Sequence, residues 1–151
     1  MNASDLMAEF AQRAGMSGLV LSADGTASIV VDGTTQLQLE HDAAARRLYL
    51  YTSLGEAPAA GRERYFEQLL AANLFARATG GATIGFDAAN NEVLLSRALD
   101  LDLTDYAAFE DALDALVRAA EALPLALSRP AADPAPALHD AAPPFGMAWR
   151  A

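Results

Sequence analysis

The sequence has no cysteine and no lysine, one tryptophan and two histidines. The lack of cysteine excludes disulfides, thiolate zinc sites and cysteine nucleophiles, and it suits a reducing compartment. All ten cations are arginines, so no lysine exists to neutralise a phosphate in a nucleotide loop. No apolar stretch approaches the ~20 residues that span a membrane. The first residues, Met1 to Asp5, carry neither an early positive charge nor a signal-like apolar core. The expectation is a soluble cytoplasmic protein with no membrane insertion.

Acidic residues outnumber basic ones by 20 to 10, for a net charge of -10 over 151 residues. A chain of this charge repels phosphate backbones, so no nucleic-acid partner is expected. Anionic membrane surfaces repel it too. Basic or mixed-charge proteins are the favoured partners. The length fits one domain.

Hydrophobic periodicity divides the chain. Leu6, Met7, Phe10, Ala11 and Ala14 recur at helical spacing from about Ser4, with Ser4 as the expected cap, Asp5 at the positive end and Gly15 as the stop. From Leu19 to Leu54 the period changes to two. Ala27, Ile29 and Val31 alternate with Ser28 and Val30. Asp32-Gly33 predicts a hairpin turn, because both positions need φ > 0. On the return, Leu37 and Leu39 face one way and Gln36, Gln38 and Glu40 the other. In the next run Leu48, Leu50 and Thr52 share a face, opposite Arg47, Tyr49, Tyr51 and Ser53.

A second helix is expected over 62–78. Phe66, Leu69, Leu70 and Leu74 form its stripe, Phe75 lies off it, and Gly80-Gly81 ends it. Apolar residues on more than one side predict burial on both. Ala82, Ile84 and Phe86 alternate in a short strand. Asn90-Asn91 makes a turn, and Val93 to Leu95 returns. Thr104 is the expected cap of a last helix striped by Tyr106, Phe109, Leu113, Leu116, Val117 and Ala120, which Pro124 ends or kinks. Five prolines between 130 and 144 predict a flexible Pro/Ala-rich tail over 128–151. The reading is an α+β domain over 1–127, with the order helix, three strands, helix, two strands, helix and one mostly antiparallel sheet.

No catalytic constellation emerges. His41 and His139 lack a second histidine at metal-ligand spacing. His41 and Asp42 are adjacent in a strand and point to opposite faces, which predicts an exposed turn histidine. Gly80-Gly81-Ala82-Thr83-Ile84-Gly85 follows a helix and opens a strand, the reverse of a phosphate cradle. Asp105, Glu110, Asp111 and Asp114 read as a solvated helix face. No enzyme activity, metal or cofactor is expected.

Several stretches together resemble the CesT/Tir-chaperone family of class I type III secretion effector chaperones. Asp24-Gly25 and Asp32-Gly33 flank a first long strand, Ile29-Val30-Val31. Arg47-Leu48-Tyr49-Leu50-Tyr51-Thr52-Ser53-Leu54-Gly55 is similar to the family's third strand and following loop. The most specific stretch is 69–87, with Leu69-Leu70, Ala72-Asn73, Gly80-Gly81 and Gly85-Phe86-Asp87 in order. Asn91-Glu92-Val93-Leu94-Leu95 and the acidic last helix agree. The tail departs from the pattern.

The resemblance implies a small acidic homodimer in the bacterial cytoplasm. Its second helix and the strands after it would form the dimer contact. Its partner would be the N-terminal region of a type III effector, held extended without ATP. On this reading Phe66, Leu69, Leu70, Leu74, Phe75, Ile84 and Phe86 are the expected dimer contact. Leu6, Phe10, Ile29, Val31, Leu37 and Leu39 are the expected effector-binding residues, because a helix beside a sheet edge makes a groove with apolar walls and open backbone groups. The tail is expected to be dispensable for folding. Its apolar end, Phe145, Met147 and Trp149, either shields the client groove or is a solvated terminus. A generic protein-protein adaptor of the same fold, and a small α+β enzyme, are the competing readings.

Overall fold

The computed structural model describes residues 2–16 and 18–127. The expectations for 128–151, including those for Phe145, Met147 and Trp149, lie outside the described residues. Three helices and five strands follow in order: α1 (Ala3–Arg13), β1 (Thr26–Val31), β2 (Thr35–Asp42), β3 (Arg47–Glu56), α2 (Arg62–Asn73), a 3-10 turn (Leu74–Ala76), β4 (Thr83–Asp87), β5 (Glu92–Asp100) and α3 (Tyr106–Leu127). The expected α+β order holds.

One antiparallel sheet carries the fold, in the strand order β1-β2-β3-β5-β4. The β1–β2 hairpin turns through Asp32 and Gly33 with φ of 51° and 71°. This matches the twist the flanking strands need. Strand alternation puts Ile29, Leu37, Leu39, Leu48, Leu50, Thr52, Val93 and Leu95 on one buried face. Helix α3 lies across that face over β3 and β5. The face of α3 carrying Phe109, Leu113, Leu116 and Val117 is buried there, while Glu110, Asp111 and Asp114 are exposed as expected. Helix α1 packs on α3, with Phe10 edge-on to Phe109 at 5.6 Å between centroids.

The structure corrects several local expectations. The cap of α1 is Asn2, whose side chain accepts from the Asp5 amide at 2.8 Å; Ser4 lies inside the helix. Asp105, not Thr104, caps α3 by accepting from the Ala108 amide. Thr104 is buried and donates to the Asp100 carbonyl. Both substitutions follow from spacing: the cap oxygen must reach an amide three residues on. Strand β5 runs to Asp100, well past Leu95, because β3 offers a partner along its whole length. Helix α3 continues through Pro124 to Leu127. Leu123 is buried one residue earlier, and a proline near a helix end forfeits little of the ladder. His41 is a half-buried strand residue opposite Leu48 rather than an exposed turn histidine.

Helix α2 ends at Asn73, five residues short of the expected Ala78. Leu74 takes an extended ψ of 117°, and Phe75 and Ala76 both have positive φ, 57° and 53°. A left-handed conformation strains a residue with a Cβ, at roughly 1–2 kcal/mol each. Asn73 is tied to β4, and that tie diverts the chain. The buried Thr79 hydroxyl then donates to the Ala82 carbonyl. A Cβ on Gly80 would stand 3.0 Å from the Ala115 carbonyl oxygen, and at a φ of 62° a side chain there would be both crowded and strained.

Candidate protein-binding surfaces

Three surfaces lack a cover in the described chain: the exposed side of α2, the outward edge of the sheet, and the sheet face opposite α3. Each follows from local sequence.

Helix α2 presents two apolar sides to different surroundings. Leu69 points inward and is buried. Leu70, Leu74 and Phe75 are 71%, 59% and 78% exposed. Phe66 lies between, edge-on to Phe86 with centroids 5.0 Å apart. The Arg62 guanidinium sits 5.2 Å from the Phe66 ring and 5.4 Å from the Phe86 ring. Arg62 is held there by Asn91, whose side-chain oxygen accepts from it at 2.9 Å. The strained Phe75-Ala76 pair is part of this surface, where backbone strain commonly serves function. Of the residues expected at a dimer contact, Phe66, Leu70, Leu74, Phe75 and Phe86 are available. Leu69 and Ile84 are core residues instead, because they face the sheet and α3 side of the fold.

The two sheet edges differ. On β4 the Asn73 side chain occupies both edge groups of Ile84: its amide donates to the Ile84 carbonyl and its oxygen accepts from the Ile84 amide. That edge is plugged at its centre. On β1, Ser22 occupies the outward groups of Thr26. Backbone groups alternate in direction along an antiparallel strand, so the next outward pairs belong to Ser28 and Val30. Val30 is 53% exposed beside them.

The expected effector-binding residues do not form this edge surface. Leu6, Phe10, Ile29, Leu37 and Leu39 are all buried in the core. Only Val31 is partly exposed. Periodicity selects the apolar face of each element, and in this fold that face is the one α3 and α1 cover. The residues left to meet a partner are the alternates, such as Ser28 and Val30, which lie on the opposite face of the same strand.

The sheet face opposite α3 also escaped the sequence reading as a surface. Tyr49, Tyr51 and Leu94 are half-buried on it and floor an open groove of about 690 Å³. Glu40, Asp87 and Glu92 stand around it. Asp87 accepts from the Asn90 side chain at 2.7 Å and from the Ala89 amide, and these bonds hold its carboxyl below the usual carboxylate range. The signal was present in the alternation of Tyr49 and Tyr51 with Leu48 and Leu50.

Among the described residues no group of His, Asp and Glu could hold a metal ion, and no helix is long and apolar enough to cross a membrane.

Comparison with known proteins agrees with this architecture. A Chlamydia pneumoniae protein is 32% identical over 94 residues, covering 61% of this chain and 72% of that protein. Among solved structures, the ExsC–ExsE complex contains a chain with a TM-score of 0.70 and 27% identity, covering 84% of this chain and 97% of its own. The Yersinia pestis type III secretion chaperone SycH, in complex with a stable fragment of YscM2, has a TM-score of 0.62 and 22% identity, covering 80% of this chain and 98% of its own. The family profile of the Tir chaperone protein (CesT) family matches residues 5–124, nearly the whole described fold. The chain belongs to the Tir chaperone protein (CesT) family.

Proposed function

We propose that this protein is a type III secretion chaperone in a bacterial cytoplasm. It binds the N-terminal region of an effector in extended form and keeps it competent for secretion. It does so by binding alone, without chemistry on its client. The observation that carries this reading is the unplugged β1 edge. An extended peptide can add there as a further strand through the outward groups of Ser28 and Val30. Main-chain hydrogen bonds accept varied sequences, and a segment held as a strand is kept from folding. Membership of the family and the complexes formed by similar chaperones support the same reading.

The protein is a homodimer on this reading, joined through α2. Leu70, Leu74 and Phe75 form an apolar surface that a soluble monomer would leave in water. A second copy of the same surface covers it by two-fold symmetry. The core residues Leu6, Phe10, Ile29, Leu37 and Leu39 support the client surface from beneath, with Val31 at its margin.

The experiment is co-expression with the N-terminal region of an effector encoded beside this protein. Co-elution at a stoichiometry of two chaperone chains per fragment is expected. New strand amides protected from hydrogen exchange should map to β1. An effector region that stays soluble and unbound beside folded protein would overturn the reading.

A further inference from the structure

Residues 18–22, between α1 and β1, begin a hairpin with β1 that stops after one rung. The Ser22 amide donates to the Thr26 carbonyl at 2.7 Å, and the Thr26 amide donates to the Ser22 hydroxyl at 3.1 Å. Between them the Gly25 amide donates to the Ser22 carbonyl at 2.9 Å, and Gly25 has a φ of 77°. A left-handed glycine at that place marks a three-residue hairpin loop. Beyond Ser22 the pairing ends: among the described residues no backbone bond joins 18–21 to β1. The stretch nevertheless alternates as a strand does. Leu19 and Leu21 are partly buried against the core, and Val20 between them is 71% exposed.

We propose that residues 18–22 are the chain's own occupant of the β1 edge, a strand that closes over it when no client is bound and that a client displaces; the inference rests on the chaperone reading above. Continuing the hairpin from its first rung sets Val20 opposite Ser28 and Gly18 opposite Val30. Those are the two outward pairs left open on β1. The faces agree as well. Leu21 would come beside Ala27 and Leu19 beside Ile29, and Ala27 and Ile29 lie on the inner face, opposite the buried Leu39 and Leu37. No side chain has to change face for the rungs to close. Gly18, at a φ of 90° with nothing within 4 Å of its Cβ position, can pass to the extended backbone that closure needs. Closure covers an edge that would otherwise template pairing between copies. A strand tethered through one turn reaches that edge ahead of a second copy, because its effective concentration is higher. Only two rungs remain to be made, which leaves a longer client strand able to displace it.

Amide hydrogen exchange on the full chain without client tests closure directly. Val20→Pro is the variant of choice. Val20 is exposed, so the core is untouched, and the proline ring would stand where the Val20 amide meets the Ser28 carbonyl. The Ser28 and Val30 amides are expected to exchange at least ~fivefold faster in the variant, the factor that one net hydrogen bond contributes. Circular dichroism should be unchanged. The same factor should return as tighter binding of the effector fragment of the preceding section in calorimetry, because closure lowers the apparent affinity by the fraction of protein left open. Unchanged exchange at Ser28 and Val30 overturns the proposal. Weaker effector binding by the variant also overturns it, since Val20 would then belong to the client site. Protection of Ser28 that grows with protein concentration overturns it too, as a sign of pairing between copies. A second test uses the absence of cysteine from the chain. Val20→Cys with Ser28→Cys, joined by a short bifunctional thiol reagent, should lose effector binding, while each single variant keeps it. Binding that survives the cross-link overturns the proposal. The two readings fail separately. Wild-type protein that captures no effector region defeats the chaperone function, and the exchange result still decides the strand. Normal effector capture, with Val20→Pro and wild type alike in exchange, defeats the strand alone.

Discussion

Asn73 at the end of α2 grips Ile84 in the middle of β4 with both ends of its carboxamide, at 2.9 and 2.7 Å. One side chain thereby ends a helix, anchors an edge strand and blocks that edge against further pairing. Among the described residues the other edge, on β1, has no comparable plug at Ser28 and Val30. The asymmetry sets where an added strand can form.

Asn73→Ala should remove both bonds and leave the Ile84 edge groups to water. Each lost hydrogen bond contributes about 0.5–1.5 kcal/mol, so a loss of about 1–3 kcal/mol is expected in urea unfolding. Asn73→Asp keeps the acceptor for the Ile84 amide but sets a carboxylate oxygen against the Ile84 carbonyl, so its loss should be at least as large. Hydrogen exchange should accelerate at Ile84 in Asn73→Ala, while the acceptor kept in Asn73→Asp should still protect that amide. Unchanged exchange at that amide in Asn73→Ala would show that the carboxamide does not protect it.

Phe10 is a core residue, edge-on to Phe109. Phe10→Ala should therefore cost about 3–5 kcal/mol of stability, chiefly by opening a cavity between α1 and α3. A calorimetric scan should show a large drop in Tm. Client affinity of the fraction still folded should change little. A variant that keeps its Tm and loses its client would instead make Phe10 a contact residue.

Leu74 is 59% exposed. Leu74→Asp should leave the folded protomer intact and place a carboxylate in the dimer contact, where an unpaired charge costs several kcal/mol. Light scattering is expected to give the protomer mass, with circular dichroism as for the wild type. A variant that remains dimeric would move the contact away from α2.

Asp87 holds the β4–β5 turn through Asn90 and Ala89, and its carboxyl titrates below the usual range. The stability it contributes is full above the ordinary carboxylate value, near pH 4, and is lost as pH falls through the lower folded value. Asp87→Asn should flatten the dependence of Tm on pH in that acidic window. It should leave the dependence near neutrality alone. An unaltered acid limb would mean that other carboxylates carry it.

The sequence by itself determined the secondary-structure order, the α+β class and most of the core. Those properties are written in one-dimensional periods: two for Leu37 and Leu39 or Leu48 and Leu50, and nearer four for Phe109, Leu113, Leu116 and Val117. The Asp32-Gly33 turn was legible for a similar reason, since a residue pair alone dictates its backbone angles. Family membership was legible in the order of the motifs over 69–87. Tertiary structure decided the rest. A period shows that α2 has apolar residues on two sides, but not that Leu69 meets the core while Leu70 and Leu74 meet solvent. That choice depends on β4 and α3, which pack against α2 only once the fold forms. The early end of α2 depends on Asn73 finding Ile84, a bond no local pattern specifies. The expected client residues were buried for the same reason. Alternation marks the apolar face of a strand, and the position of α3 made that face the interior. The alternates, Ser28 and Val30 on β1 and Tyr49, Tyr51 and Leu94 on the open face, were left as surfaces. Strand register alone brings such residues together, because residues distant in sequence become neighbours only when the sheet forms.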